Sequence, residues 1–432
     1  MEAIVKNNKK LIRSWAMFDW ANSAYNLVIT STIFPVYYTA ITTTKEHGDV
    51  VSFFGIEVVN TALSNFSLAF AYLLMSFSLP FISSYADANG KKKQIMKFFT
   101  YIGAMACMCL FFFKLDTLEI GIICFVLAAM GYIGGVLFNN SYLPLLATVD
   151  QQDKVSAQGF AYGYIGCVTL QILCFIVVLK PGWFGITNAS LPARISFLMV
   201  GLWWLGFSMI PFKYLPKIEA TGNTTGKSFI QNVRDEFGHV IQKIKGIPEI
   251  KQFLPAFFFY AIGVQTLMIV ASSFGEKILH LGAERLIATI LLIQLVAILG
   301  AFLMSYLSTL FGNIKVLIVV VMIWIGICIS AFYLSTPLQF YIIAALVGLV
   351  MGGIQSLSRS TYSKLIPPDI KDTTAFFSFY DVTEKVAIVI GLFSFGLIEQ
   401  ITHNIRYSAL VLSLFFVIGL LLLVRILVSN KS

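Results

Sequence analysis

The chain has 432 residues, 58% of them hydrophobic and only 12% charged, with a formal net charge of +9. A soluble domain carries about 25% charged residues, so a string of soluble domains is excluded. Apolar runs of about 20 residues recur from end to end, each able to span a hydrocarbon core, and the expected fold is an all-α polytopic membrane protein whose basic balance reads as topology signal and anionic-lipid contact, not a nucleic-acid footprint.

The first apolar run is expected to stay in the mature protein. It contains Asp19 and Asn22, runs too long for a signal peptide and is closed by no small-residue cleavage site. Spans fall at roughly 14–40, 58–84, 95–113, 118–146, 156–179, 194–213, 252–275, 286–310, 315–335, 338–358, 374–399 and 406–428. That makes 12 transmembrane helices, six before and six after the polar stretch from Lys213 to Lys251. The expected organisation is an N-terminal bundle over 1–213, a cytoplasmic linker over 214–251 and a C-terminal bundle over 252–432. With both termini cytoplasmic, 22 of the 30 Lys and Arg fall inside, seven fall outside and Lys385 sits within a span. This is the asymmetry of the positive-inside rule. Two six-helix bundles joined by a long inner loop resemble the plan of the major facilitator superfamily.

In the first span a carboxylate stands in an apolar run, which is costly. Asp19, Asn22, Ser23, Asn26 and Thr30 follow at i, i+3, i+4, i+7 and i+11, one face of an α-helix. Such a stripe faces a bundle interior or a wet cavity, or serves as glue between helices. Asp19 near the inner end of this helix is suited to carrying a proton or to gating. After the second span, "PFISSYADANGKKK" (Pro80 to Lys93) resembles the superfamily signature in which a helix-end Asp, a turn Gly and basic residues form a cytoplasmic latch. Asp87 would pair with a cation on the neighbouring bundle, Gly90 permits the tight turn, and Lys91 supplies charge. The alternative is that Lys91 to Lys93 only anchor the loop inside. The loop after the eighth span, "STLFGNIK", repeats the pattern weakly, with Gly312 for Gly90, Lys315 for Lys93 and Thr309 for Asp87.

The fourth span carries Asn139 and Asn140. Gln158, Gly159, Gly163 and Gly166 lie on the fifth, Gln265 and Gln294 on the seventh and eighth. These amides suit hydrogen bonding to a polar solute, or glue between helices. The central loop carries "TGNTTGKS" (Thr221 to Ser228), close to a phosphate-binding loop. Its first glycine, Gly222, falls one position late and no strand precedes it, so it reads as a flexible linker. The sequon Asn188-Ala189-Ser190 is of a kind that arises by chance.

On the tenth span, Gly348, Gly352 and Ser356 form a small-residue packing face. Gln355, Ser358, Arg359 and Tyr362 repeat at helical spacing, and Arg359 either binds an anionic substrate, closes an inner gate or anchors the helix. On the eleventh, Asp381, Glu384, Lys385 and Ile388 share a face. Asp381 and Lys385 at i,i+4 can neutralise each other and leave Glu384 without a local partner, or the group snorkels to the inner surface. The six cysteines all lie in apolar spans and read as buried, inert thiols. The four histidines (His47, His239, His280, His403) are scattered singly in loops, so no metal and no cofactor is expected.

"SWAMFDWANSAYNLVITSTIFPVYY", "VSAQGFAYGYIG", "GGIQSLSRSTYSKLIPP" and "FFSFYDVTEKVAIVIG" together resemble the vacuolar-effluxer-like branch of the major facilitator superfamily, which holds autophagy-related amino-acid effluxers and bacterial members. The resemblance covers most of the chain in order. It matches Asp19, Trp20, Asn22, Ser23 and Tyr25 to the first motif, and Gln355, Ser358, Arg359 and Ser360 to the second. The eleventh span, with Asp381, Glu384 and Lys385, is more charged than the family pattern. The resemblance implies a secondary transporter working by alternating access, with helices 1, 4, 7 and 10 lining a central cavity. Amino acids are then the favoured small polar solute. Asn22, Tyr25, Asn26, Asn139, Asn140, Gln265, Gln294, Gln355 and Arg359 are candidates for substrate contact. Asp19, Asp87, Gly90, Lys91, Asp381, Glu384 and Lys385 are candidates for proton coupling or gating. An exporter of a lipid, siderophore or drug-like amphiphile is the rival reading, and a non-transporting receptor a weaker one. No enzyme is expected, since no nucleophile has a plausible base and no His-rich metal motif is present. The setting is the cell (inner) membrane or an organelle membrane such as the vacuole, and the expected state is a monomer in a lipid bilayer.

Overall fold

Pro35 shapes the first span. It has no N–H to offer Ser31, and its ring collides with that carbonyl in regular α geometry. The turns before it are widened: α1 (Lys9–Ala24) runs into a π-helical stretch, Tyr25–Ile33, and α-helical geometry resumes over Phe34–Thr42. Asn8 caps α1 by accepting from the amides of Lys10 and Leu11. The structure, a computed structural model, describes residues 5–44, 47–220, 238, 240–279, 281–368 and 370–429, and for 272–274, 276, 277, 283 and 284 the backbone alone. The stretch from Thr221 to Ser228, His239, His280 and Lys45 lie outside the described residues.

Among the described residues, 11 further helices are long and apolar enough to cross a membrane. They are α2 (Asn60–Ala88), α3 (Lys92–Cys109), α4 (Leu118–Asn140), α5 (Gln152–Leu179), α6 (Leu191–Tyr214), α7 (Pro248–Leu279), α8 (Ala283–Phe311), α9 (Asn313–Phe332), α10 (Pro337–Leu365), α11 (Thr373–Thr402) and α12 (Ile405–Ser429). With the three-part first span they agree with the hydropathy reading of 12. The exception to an all-α fold is the loop before α2. There "VVSFFGIEVV" pairs β1 (Val50–Phe53) antiparallel with β2 (Ile56–Val59), Val50 opposite Val59 and Phe53 opposite Ile56. Phe54 and Gly55, at φ +47° and +82°, make the two-residue turn that such a hairpin needs.

The helices before residue 215 pack around Trp15, Tyr25, Phe99, Phe138 and Trp204; those after it around Phe257, Trp324, Tyr362 and Phe416. A helical stretch at 240–245, inside the region read as linker, adds Val240 and Ile244 to the second core. α10 lies backbone to backbone on α8: a Cβ at Gly348 would come within 2.6 Å of the Ile293 carbonyl, and one at Gly352 would collide with the Ala297 carbonyl. Close approach of this kind is how small residues bind helices where lipid offers no hydrophobic drive. Five of the six cysteines are buried, but Cys109 is exposed. It shares a face of α3 with the exposed Phe98, Tyr101 and Met105, where a soft thiol sits comfortably against acyl chains.

Candidate functional site

Arg359 is the hub of the molecule. Its α10 backbone belongs to the second core, yet its guanidinium is 3% exposed and, among the described residues, bonds only to the first. Nη1 donates to Asp19 Oδ2 on α1 at 3.1 Å and to Asn140 Oδ1 on α4 at 2.9 Å. On α5, Nε donates to Ser156 Oγ at 2.9 Å and Nη2 to the Ser156 carbonyl at 2.7 Å. The rings of Trp15 and Phe160 lie 4.9 and 4.1 Å from the guanidinium carbon, so its faces are covered as well. Asp19 is held in turn by Asn139 Nδ2 at 3.2 Å, and Ser156 Oγ donates to the Ser356 carbonyl at 2.8 Å. A planar fork with five donors can be saturated in this way, and an ammonium cannot. A residue so buried and so bonded is no anchor to a surface, and that alternative for Arg359 falls.

The close approach depends on α5 glycines. A Cβ on Gly159 would stand 2.6 Å from Asp19 Oδ2, 2.7 Å from Arg359 Nη2 and 2.8 Å from the Trp15 ring; Gly163 backs onto Ser23 and Gly166 onto Trp20 in the same way. Gly159→Ala is therefore expected to force the ion pair apart. Overpacking of this type costs about 1–3 kcal/mol, and the check is a lowered Tm of the purified protein together with solvent access to Asp19 in hydrogen exchange.

Two further clusters flank Arg359 at the end of the molecule that carries both termini. Asp87, at the end of α2, accepts from the backbone amides of Thr374 and Ala375 at 2.8 and 2.9 Å and from Thr374 Oγ1 at 2.6 Å. The expected cation on the neighbouring bundle is therefore replaced by the N-terminus of α11, whose first amides have no partner inside the helix and carry its positive dipole end. The cation beside Asp87 comes from its own bundle: Lys92 Nζ is 3.8 Å away and also donates to Thr373 Oγ1 at 2.6 Å. The turn at Gly90, φ +64°, directs Lys92 inward and leaves Lys91 exposed, bonded to Tyr85 in the last turn of α2. Lys91 thus gives way to Lys92. On the opposite flank Asp153, in the first turn of α5, receives Ser308 Oγ at 2.8 Å, Asn313 Nδ2 at 2.8 Å and Lys364 Nζ at 2.6 Å. This second latch is the counterpart of the first across the repeat, α2 with α11 against α8 with α5, and Gly312 at φ +85° turns the matching loop. The acid has moved from the α8 end, where Thr309 is exposed, to α5. Reading along the repeat therefore missed Asp153, although an acid in a first helical turn is a signal of its own.

Further from the termini, α11 presents the second charged group. Lys385 Nζ lies 2.7 Å from Glu384 Oε2 and 3.4 Å from Asp381 Oδ1, while Glu384 Oε1 accepts from Gln265 Nε2 of α7 at 2.7 Å. Glu384 is thus the better-partnered acid, because neighbouring side chains on the helix bring it nearer the ammonium than the i,i+4 pairing does. Lys385 is 6% exposed, so the group does not snorkel. Gln355 of α10 accepts from Tyr164 Oη of α5 at 2.6 Å. Tyr25 is packed between Tyr132 and Trp204, and Gln294 Oε1 is buried with no hydrogen-bond partner among the described residues. Along the first span Asp19 and Asn22 are buried and Asn26 is exposed, while the wider π turns move Thr30 off the α-helical stripe.

Comparison with known proteins agrees with this architecture. The family described as "Vacuole effluxer Atg22 like" matches residues 7–432. The chain is 28% identical to an "Uncharacterized MFS-type transporter YxiO" of Bacillus subtilis (strain 168), over 97% of this chain and 95% of that one. It is 25% identical to "Autophagy-related protein 22" of Kluyveromyces lactis, over 84% and 79%. Among solved structures the human organic anion transporter MFSD10 aligns with a TM-score of 0.74 at 10% identity, over 97% of this chain and 100% of that one. FucP, a major facilitator transporter captured in the outward conformation, aligns at 0.69 and 12% identity, over 96% and 98%. The chain is a multi-pass membrane transporter of the major facilitator superfamily and belongs to its vacuole effluxer Atg22-like family.

Proposed function

We propose that this chain is a secondary active transporter of a small polar metabolite, amino acids favoured, working by alternating access with its inner end closed. The observation that carries the reading is Arg359. One side chain of α10 is bonded to α1, α4 and α5, so the halves separate at this end only when its whole bonding set is exchanged. Such a bistable element is what alternating access requires. Asn26, Tyr72, Tyr132, Gln265 and Gln355 are at least partly exposed beyond the gate, and this polar set favours a hydrophilic solute over an amphiphile. The positive-inside asymmetry supports a closed end that faces the cytoplasm, and the bacterial relative favours the cell membrane.

The test is counterflow in proteoliposomes across amino acids, peptides, nucleosides and organic anions, with and without a pH gradient. Saturable flux of one polar class is expected; flux of lipid or drug-like amphiphiles alone would replace the reading with the exporter. Proton coupling runs through Asp19 or through Asp381 and Glu384. In Asp19→Asn, pH dependence that persists removes Asp19 from coupling and leaves the α11 carboxylates; its loss assigns coupling to Asp19.

A further inference from the structure

Asp381, Glu384 and Lys385 form a charged group inside a membrane-spanning helix, and the charges do not cancel. Two carboxylates against one ammonium leave a net charge of −1. Nearer the termini, Arg359 and Asp19 neutralise each other. Asp381 is 3% exposed, its Oδ1 faces Lys385, and its Oδ2 is buried with no hydrogen-bond partner among the described residues. A buried acceptor of this kind is costly to leave unsatisfied. Glu384 is the more accessible of the two acids, with a side chain 20% exposed.

Among the described residues the surroundings offer no further cation. The helices packed on α11 bring Tyr72 from α2, Tyr132 from α4 and Tyr260 with Gln265 from α7. Tyr380 lies on α11 itself, and Arg359 of α10 is committed to Asp19. On α12 the ionisable residues are Arg406, Tyr407 and Arg425, all near its two ends. At the inner end of α11, Asp87 and Lys92 are engaged with Thr373 and Thr374. The phenols add hydrogen-bonding oxygens and aromatic faces, which are attractive to an ammonium group.

We infer that the Asp381–Glu384–Lys385 cluster is a cation site at which the ammonium group of the transported solute and a proton exchange. This rests on the reading of the chain as a secondary transporter and goes beyond it in naming the solute class and the coupling. The occupant has charge +1. Either a proton sits on one carboxylate, or an organic ammonium seats between Asp381 Oδ2 and Glu384; a basic amino acid is the member of that class nearest the proposed function. Substrate binding expels the proton, and protonation expels the substrate. Transport is then exchange of amine for proton.

Lysine, with leucine as the neutral comparison, tests this on purified full-length protein in detergent. Lysine affinity is expected to fall about tenfold per pH unit on the acid side, with about one proton released per lysine bound in weak buffer. Leucine is expected to bind at least tenfold more weakly, by the loss of a charge-assisted contact. Glu384→Gln is expected to abolish proton release. Should that variant fail to fold, the pH dependence of the unmodified protein decides alone. Lysine binding that ignores pH, or leucine binding as tightly as lysine, overturns the inference. Flux of another polar solute without proton release on lysine binding overturns it too and leaves the transport reading standing. Proton-releasing lysine binding with no flux of any solute overturns the transport reading instead.

Discussion

Arg359→Ala is expected to abolish solute flux and to release the inner end of the molecule. The side chain makes four hydrogen bonds to Asp19, Asn140 and Ser156 and has aromatic rings on its faces. Its removal leaves Asp19 buried with Asn139 alone. Breaking a buried pair on one side costs about 3–5 kcal/mol, charged here entirely to the state that is closed inside. An equilibrium between the two faces would move by about a hundredfold to several thousandfold toward the inward-open state. A cysteine introduced by Ser356→Cys, buried in the closed structure, reports the change through labelling by a membrane-impermeant thiol reagent from the inner side. Arg359→Lys is expected to behave almost as badly, since one ammonium cannot reach Asp19, Asn140 and both Ser156 oxygens together. The pair Asp19→Asn with Arg359→Gln should recover thermal stability relative to Arg359→Ala, with a coupling of about 1–3 kcal/mol in the cycle, and not recover flux. Equal labelling in Arg359→Ala and the unmodified protein would show that the hub does not hold the gate.

The sequence exposes those parts of this architecture that are written in hydropathy or in isolated charge. The 12 spans are legible because each is a predominantly apolar run of about 20 residues; Asp19 is legible because a charge in such a run is rare, and Arg359 because it falls at helical spacing just past the end of one. That they bond to each other is not, since 340 residues separate them and no local spacing links them. Lys92 hides behind Lys91 because three lysines in a row look alike until the turn at Gly90 decides which points inward. Asp153 sits in a loop-to-helix junction, where a charge is unremarkable. The π-helical turns leave a single trace, Pro35, because widening the hydrogen-bond ladder changes no residue type. The hairpin of 50–59 is not legible, because two four-residue strands around a Phe-Gly pair are too short to register against 20-residue spans.

Asp87→Ala is the second substitution with a large expected effect, and its physics differs from that of Arg359. Asp87 bonds to backbone, so what it loses cannot be restored by rearranging a side chain. Two amides at the buried start of α11 are left without acceptors, at about 1–3 kcal/mol each, and Lys92, 1% exposed, loses its counter-charge. The favourable interaction of a carboxylate with the helix dipole goes as well, at about 0.3–1 kcal/mol or somewhat more in a buried setting. Asp87→Asn keeps one acceptor and should fall between the two. Since α11 also carries Asp381, Glu384 and Lys385, tilting its inner end moves the charged group within the membrane. Flux in Asp87→Ala is therefore expected to fall by at least tenfold, with lysine binding measured on the same protein less affected than flux. A mirror test is built into the fold: Asp153→Ala breaks the corresponding latch through side chains alone, Ser308, Asn313 and Lys364. These can turn toward water, so its loss should be the smaller of the two. Equal losses would show that both latches act simply as ion pairs; a much smaller loss in Asp87→Ala would show that the dipole of α11 contributes little to closure.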